Sequence, residues 1–504
     1  MSHMINRNSI LFLALMFSLH LSSFAQQRGF FFTERDPGHY SINGKFSVET
    51  VDGCYIVSEV SNLASLNTQV DILKFSAEGE LLNRVVVDGR NLEIAGLFRV
   101  PDEERQYCLV LDNGEKTVSH PRITRFDDDL NILSNVDVEL PQNIPADFLV
   151  AARAWIGKDN KVYYSFTNCG EEICRVHLLF TLDGQLEKYT VEHRFLLPGS
   201  SFSLPDGSRW SYGNGVLSRL DDSLGLNPVH QFQKIVDNPQ AGGVSYQVWI
   251  GGASYPTATA LPDSSFLIAE EVHELLWTTQ YGIVDMNPEQ MAFFKSDFDG
   301  EVKKVITIGS RDTLERPAHF QAIDYVYPDA IYLCGFQHLE PNSFGTLVIP
   351  NKVFLKKVDV DLNVIWEKSY VLGAEHYMPM FLLATRDGGC LITGRVMYDI
   401  YEEESDFFVL KINADGTVGT DEVLVEDIRP YAYYPTPAQD ELHLQYSPDV
   451  KPTQIELYDL QGRLVRSQRN GLESLNLQGL SSGTYTMRVT LAGGKVFTDK
   501  VVKN

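Results

Sequence analysis

Between residues 26 and 430 the sequence predicts an all-β fold, a seven-bladed β-propeller, followed over 431–504 by a small antiparallel β-sandwich of immunoglobulin-like type. Three observations predict it. A strand, an acidic turn and a second strand recur seven times in the body. An apolar strand fed by a tight Asp-containing turn precedes most of these copies. In the C-terminal stretch, strand-like segments follow one another without an apolar stripe of helical period.

The turn copies run Phe75–Leu81, Phe126–Ile132, Phe180–Leu186, Leu220–Leu226, Ser296–Val302, Val358–Val364 and Ile412–Val418. The feeding turns are clearest at Asp52-Gly53, Asp263-Ser264, Asp329-Ala330 and Asp387-Gly388-Gly389. Two hairpins per repeat make one four-stranded sheet, and seven repeats over 26–430 average about 58 residues each. One such sheet cannot cover both of its faces. Radial stacking covers them against neighbours and leaves only short edges exposed. The spacing is uneven, and the long interval from Leu226 to Asp297 predicts an insertion on one rim that carries Trp249 and Trp277.

The body ends near Arg429-Pro430-Tyr431, where further prolines stop strand continuation. Beyond it, Tyr485, Met487, Val489 and Leu491 alternate with polar residues, which is the pattern of a half-buried strand. Ala492-Gly493-Gly494 then turns the chain into Lys495–Val502. Leu442, Leu444 and Tyr446 mark another strand, Ile455 to Tyr458 a further one with a turn at Asp459–Arg463, and Leu475 and Leu477 a short one. About six strands without a helix in this length read as a small sandwich.

These blocks, in this order, resemble one family. Tyr434-Pro435-Thr436-Pro437-Ala438, the run Ile455–Arg463 through Tyr458, Asp459 and Gly462, Leu480–Tyr485 through Gly483, and the basic end at Lys500 are similar to the type A sorting domain of the type IX secretion system. Thr436 departs from the pattern, which has Asn between the prolines. The resemblance covers residues 431–504 and implies export across a Gram-negative outer membrane. It implies as partners the translocon, shuttle and sortase components of that system, with the domain commonly removed and replaced by a lipopolysaccharide anchor. The last body repeat resembles the degenerate propeller repeats that commonly precede such domains, and this carries no activity with it.

The N-terminus agrees with that destination. Arg7, the apolar run Ile10–Phe17 and Ser22-Ser23-Phe24-Ala25 predict a secretory signal peptide over 1–25, cleaved after Ala25. The run is too short to span a bilayer, and no later stretch is apolar for long enough, so no transmembrane segment is expected. The six cysteines all follow Ala25. Cys169 and Cys174 flank a short turn and are candidates for a disulfide, while the other four read as buried thiols.

The net charge is −25. Residues 1–25 carry one Arg and no acid, and 431–504 carry eight Lys and Arg against seven Asp and Glu, so the charge rests on the body. A body that acidic repels nucleic-acid phosphates, and no nucleic-acid partner is expected.

The acidic turns invite a calcium reading, but none has the ligand spacing of an EF-hand, and Asp, Asn and Gly are what a tight hairpin requires. No cofactor or metal is therefore expected, with calcium the one weighed alternative. His273-Glu274 begins like a zinc protease motif and fails at Trp277, where the second His should stand. No nucleophile elbow or phosphate loop occurs, and no catalytic residue is assigned. Trp155, Trp210, Trp249 and Trp277 are the candidate ligand-stacking residues, set against the commoner use of Trp as packing between sheets. The sequence therefore reads as a secreted or surface-attached propeller that binds a glycan or protein. The alternative is an extracellular hydrolase or lyase acting on polysaccharide or peptide, with a site assembled from several blades.

Overall fold

The computed structural model describes residues 29–504 apart from 35–38, 64–67, 88–91, 114–119, 143, 145–148, 170–172, 194–199, 205, 214–215, 232–233, 238–244, 251–256, 262, 279–282, 287–289, 309–313, 340–351, 374, 398–404, 420–422, 428–430, 436, 447–450 and 493–495. Ala25 and the rest of the expected signal peptide lie outside the described residues. The chain divides into two compact units, 1–426 and 427–504. All regular secondary structure among the described residues is β-strand.

Among the described residues of the first unit, seven antiparallel meanders follow one another. Their innermost strands are His39–Glu49, Leu92–Arg99, Leu149–Ile156, Ser200–Ser203, Thr257–Ala260, Ile323–Tyr327 and His376–Ala384. Each touches the next, and the last touches the first, so the sheets close into a propeller.

Closure is covalent-chain economy of a simple kind. The first described strand, Phe30–Glu34, pairs antiparallel with Ser405–Ile412, from Phe30 opposite Lys411 to Glu34 opposite Phe407, and supplies the outer strand of the seventh meander. Its aromatic side chains join that sheet to the first one. Phe30 lies 6.2 Å from the Tyr55 ring and 6.4 Å from Phe75, and Phe32 lies 5.0 Å from Phe75 and 5.7 Å from Phe407. Gly79 makes room for this strand, since a Cβ there would stand 2.4 Å from Phe30 Cγ.

All seven acidic turns share one hydrogen-bond pattern. The first N–H donates to the fifth carbonyl and the fourth N–H to the first carbonyl, as at Asp359 to Asn363 (3.1 Å) and Leu362 to Asp359 (2.9 Å). The fourth residue has positive φ, which glycine adopts without a Cβ penalty at 79, 184, 300 and 416. In the other three it is Leu130, Leu224 or Leu362. A leucine there costs about 1–2 kcal/mol, offset by burial of about 1.5–3 kcal/mol, because all three are buried. Leu224 reaches back to pack on Trp155, Tyr163 and Leu179 of the preceding sheet.

The acids of these turns serve the backbone. Asp127, Asp221, Asp297 and Asp359 each accept, at Oδ1, the N–H groups two and four residues on. The Gly225 N–H, with the Asn227 amide, holds the Asp221 carboxyl below the usual carboxylate range.

A second repeat, invisible as a motif, staples neighbours together. Three residues past the turn, Asn83, Lys188, Lys304 and Trp366 each donate to a turn carbonyl of the following sheet. The acceptors are Asp129 (2.9 Å), Asp222 (2.8 Å), Asp361 (2.9 Å) and Ala414 (3.1 Å).

The second unit is a sandwich of a three-stranded and a four-stranded antiparallel sheet. Leu442, Leu444, Ile455, Leu457, Met487 and Val489 fill its core. The closing hairpin pairs Gly483 with Lys503 through to Thr490 with Val496.

Because Leu224 gains more from burial than its backbone conformation costs, Leu224→Gly is expected to lower stability by about 1–3 kcal/mol despite relieving the strain. The urea unfolding midpoint of the purified protein checks this.

Candidate functional site

A meander returns the chain to the same rim at every second connection, so the tight turns share one rim and the remaining connections the other. Counting back from the tight-turn rim identifies a layer inside the ring. Phe46, Arg153, Ser200, Thr257, Asp324 and Phe381 each stand three residues before the last residue of their inner strand. At about 3.3 Å per residue this layer lies about 10 Å below the turns. It borders a cavity of about 440 Å³ to which all seven inner strands, or the residues leading into them, contribute.

The inner part of the cavity is aromatic. Phe46 stacks on Phe320 with centroids 5.4 Å apart and lies 5.3 Å from Phe381, and the Arg153 guanidinium sits 4.1 Å over the Phe320 ring. Trp155 lines the wall nearer the turns, stacked on Tyr163 at 4.9 Å.

The charged groups of the lining are Arg99, Arg153 and Asp324. Arg99 ends its strand and is exposed near the turns. Asp324 Oδ2 accepts the Ala384 N–H at 2.7 Å, and burial pushes its carboxyl up to about 7. Behind the layer, burial and the guanidinium groups of Arg395, Arg316 and Arg153 push His319 down to about 3. The interior is thus cationic in a chain of net charge −25.

Of the four tryptophans singled out by sequence, Trp155 borders the cavity. Trp210 is buried between sheets against Phe266 and Phe298, at 5.3 and 5.4 Å, with Nε1–H donated to Ser208 Oγ. Added strands at 234–237, 245–250 and 283–286 lengthen the fifth sheet along Phe266–Thr278, toward the rim away from the tight turns; Trp249 lies on the second of them and Trp277 near the end of Phe266–Thr278. Trp249 stands opposite His273 and Trp277 opposite Val284, and their side chains lie outside the described residues.

The hairpin register sets Cys174 opposite Asn168 and Cys169 opposite Ile173, one step away from pairing the two cysteines directly. Cys174 is buried, and the Cys169 side chain lies outside the described residues. Cys108, Cys334 and Cys390 are buried, and Cys54 is half-buried in a turn. Among the described residues no group of three His, Cys, Asp or Glu side chains is placed to hold a metal ion.

Arg99, Arg153, Phe320 and Asp324 were not found by sequence reasoning, because the inner strands are short and weakly alternating. The usable signal was position: these strands end where the feeding turns begin.

In the second unit, Tyr434 is exposed and leads into Pro435 through a cis peptide bond, and Pro437 is exposed beyond it. Asp459 caps its turn by accepting the Gln461 and Arg463 N–H groups, Gly462 carries the positive φ of that turn, and Tyr458 ends the strand before it. Tyr485 is buried and donates to the Ser481 carbonyl at 2.6 Å, while Gly483 and Lys500 are exposed. Residues 432–504 match the secretion system C-terminal sorting domain. This sorting domain marks the chain for export, with release or attachment at the outer-membrane surface, and implies contact with the type IX machinery. Among the described residues no helix is long and apolar enough to cross a membrane.

No curated protein sequence matches the chain. Similar solved structures include the GH93 α-L-arabinofuranosidase of Fusarium graminearum with arabinobiose. It is 12% identical with TM-score 0.41, covering 77% of this chain and 98% of that one. Another is the β-propeller domain of the Trilobed protease from Pyrococcus furiosus, 11% identical with TM-score 0.36, covering 73% and 95%. Neither an activity nor a ligand follows from likeness at this level.

Asp324 holds its proton more tightly folded than unfolded. As pH rises from 3.8 to about 7 the unfolded chain ionises first, and the folded state loses relative stability. Asp324→Asn is expected to flatten that fall by about 1–3 kcal/mol, measured as urea midpoints of both proteins across this range.

Proposed function

We propose that the propeller is a binding module for a glycan, delivered to the cell exterior by the sorting domain and engaging its ligand at the axial cavity. The observation that carries this reading is the make-up of the lining. Aromatic residues (Trp155, Phe98, Phe202) and hydroxyl-bearing residues (Ser200, Thr257, Thr259) line one cavity of about 440 Å³, a size suited to a small ligand and a composition suited to sugar rings with their hydroxyl groups.

The hydrolase reading is less well supported. Glycoside cleavage usually works through two carboxyl groups flanking the bond, and the described lining offers one, Asp324. The translocon, shuttle and sortase components remain the proposed partners of the sorting domain, through the surface that includes exposed Tyr434 and Lys500.

A glycan and peptide array probed with the full exported protein, run beside a broad hydrolase screen, tests the binding reading. Retention of a glycan without turnover is expected, and turnover without retention rejects it. Deleting 431–504 is expected to leave the body in the periplasm, seen by fractionation and immunoblotting. A truncated body that still reaches the medium would contradict the export role.

A further inference from the structure

The cavity lining is rich in hydrogen-bond donors and cations. Arg99 and Arg153 stand on adjacent inner strands, one at the turn end and one three residues deeper, so their backbones are offset by about 10 Å along the strand, a gap that two arginine side chains are long enough to close around one anionic group.

The single carboxyl group of the lining, Asp324, is tied by the Ala384 N–H and is pushed by burial toward its neutral form. It therefore opposes an incoming anion weakly. Arg316 and Arg395 add positive charge behind the aromatic layer, where they and Arg153 act on His319. In a chain of net charge −25, long-range attraction favours cations, so a pocket of this sign is a local and selective feature.

Resting on the glycan-binding reading above, we infer that the axial cavity selects an anionic sugar, whose carboxylate or sulfate group is held by Arg153 and Arg99 while its ring lies along the Trp155 wall. A planar carboxylate matches a guanidinium fork, and a sulfate ester presents the same acceptor oxygens. The sugar, rather than an acidic peptide, is favoured by the hydroxyl groups of Ser200, Thr257 and Thr259 around the same cavity.

Titration calorimetry on the full exported protein tests this with four probes: trigalacturonate, 6-O-sulfated galactotriose, neutral galactotriose and hexaglutamate. At least one of the two anionic sugars is expected to bind about tenfold or more tighter than galactotriose, an energy typical of a charge-assisted pair. Which of them does so distinguishes a uronate from a sulfate ester. Arg99→Gln, at an exposed position where folding is safe, is expected to cost about fivefold or more for the anionic sugar and distinctly less for galactotriose. Trp155→Phe shortens the wall along which either ring would lie, and is expected to weaken both sugars, so that the ratio between them stays as it was. Equal binding of galactotriose overturns the anion selectivity and leaves glycan binding standing. Tighter binding of hexaglutamate overturns the choice of sugar. If none of the four binds, the inference falls, and the array described above decides the binding reading on its own.

Discussion

Everything in the first unit depends on one pairing, that of Phe30–Glu34 with Ser405–Ile412. A ring of sheets held only by face-to-face packing would open at the junction between its first and last members. Here the junction is crossed by a strand pairing between segments more than 370 residues apart, to which the Thr33 hydroxyl adds a bond to the Phe407 carbonyl. Aromatic rings fasten the same strand to the first sheet. Pairing of such distant segments comes at the price of a large loop-closure entropy, which grows only slowly with length and is met once. Folding is therefore expected to end, not begin, with this contact.

The acidity of the chain has an architectural cause. Each tight turn needs a short oxygen-bearing side chain at its first residue and a positive-φ residue at its fourth, and Asp with Gly fits that need. Seven such turns, together with the feeding turns on the same rim, gather carboxylates there. Lys188 and Lys304 use the carbonyl groups of those turns as docking points for the sheet before. The negative rim and the cationic interior are thus separate consequences of separate constraints, one of backbone geometry and one of the lining.

The turn chemistry made the repeats readable. Asp221-Asp222-Ser223-Leu224 and Asp297-x-Asp299-Gly300 differ in sequence, yet both present an oxygen at the start and close the same hairpin. The second hairpin of each sheet, the sorting domain and its core alternation were legible for the same reason: local chemistry dictated local geometry. The inner strands were not. Ser200–Ser203 and Thr257–Ala260 have four residues each, too few for any alternation of polar and apolar residues to stand out from the loops around them. The outer staples were equally hidden, since Asn83, Lys188, Lys304 and Trp366 share a position and a task but no chemical likeness beyond an N–H. Trp155 and Trp210 were equally legible as candidates, and both pack between sheets, but only the structure shows that Trp155 also borders the cavity while Trp210 is not part of its lining.

The layer 10 Å below the turns has a consequence of its own. Its members are Phe46, Arg153, Ser200, Thr257, Asp324 and Phe381, six positions of equal depth that range from aromatic to hydroxyl to charged. The frame is written seven times over, while the inner surface is written once. Phe46 and Phe381 belong to the core, and Thr257 and Asp324 hold backbone N–H groups, so the half-buried Arg153 and Ser200 are the members most open to exchange. A scaffold of this kind lets selection retune what is recognised one spoke at a time, and it leaves the export label at the far end of the chain unaltered while doing so.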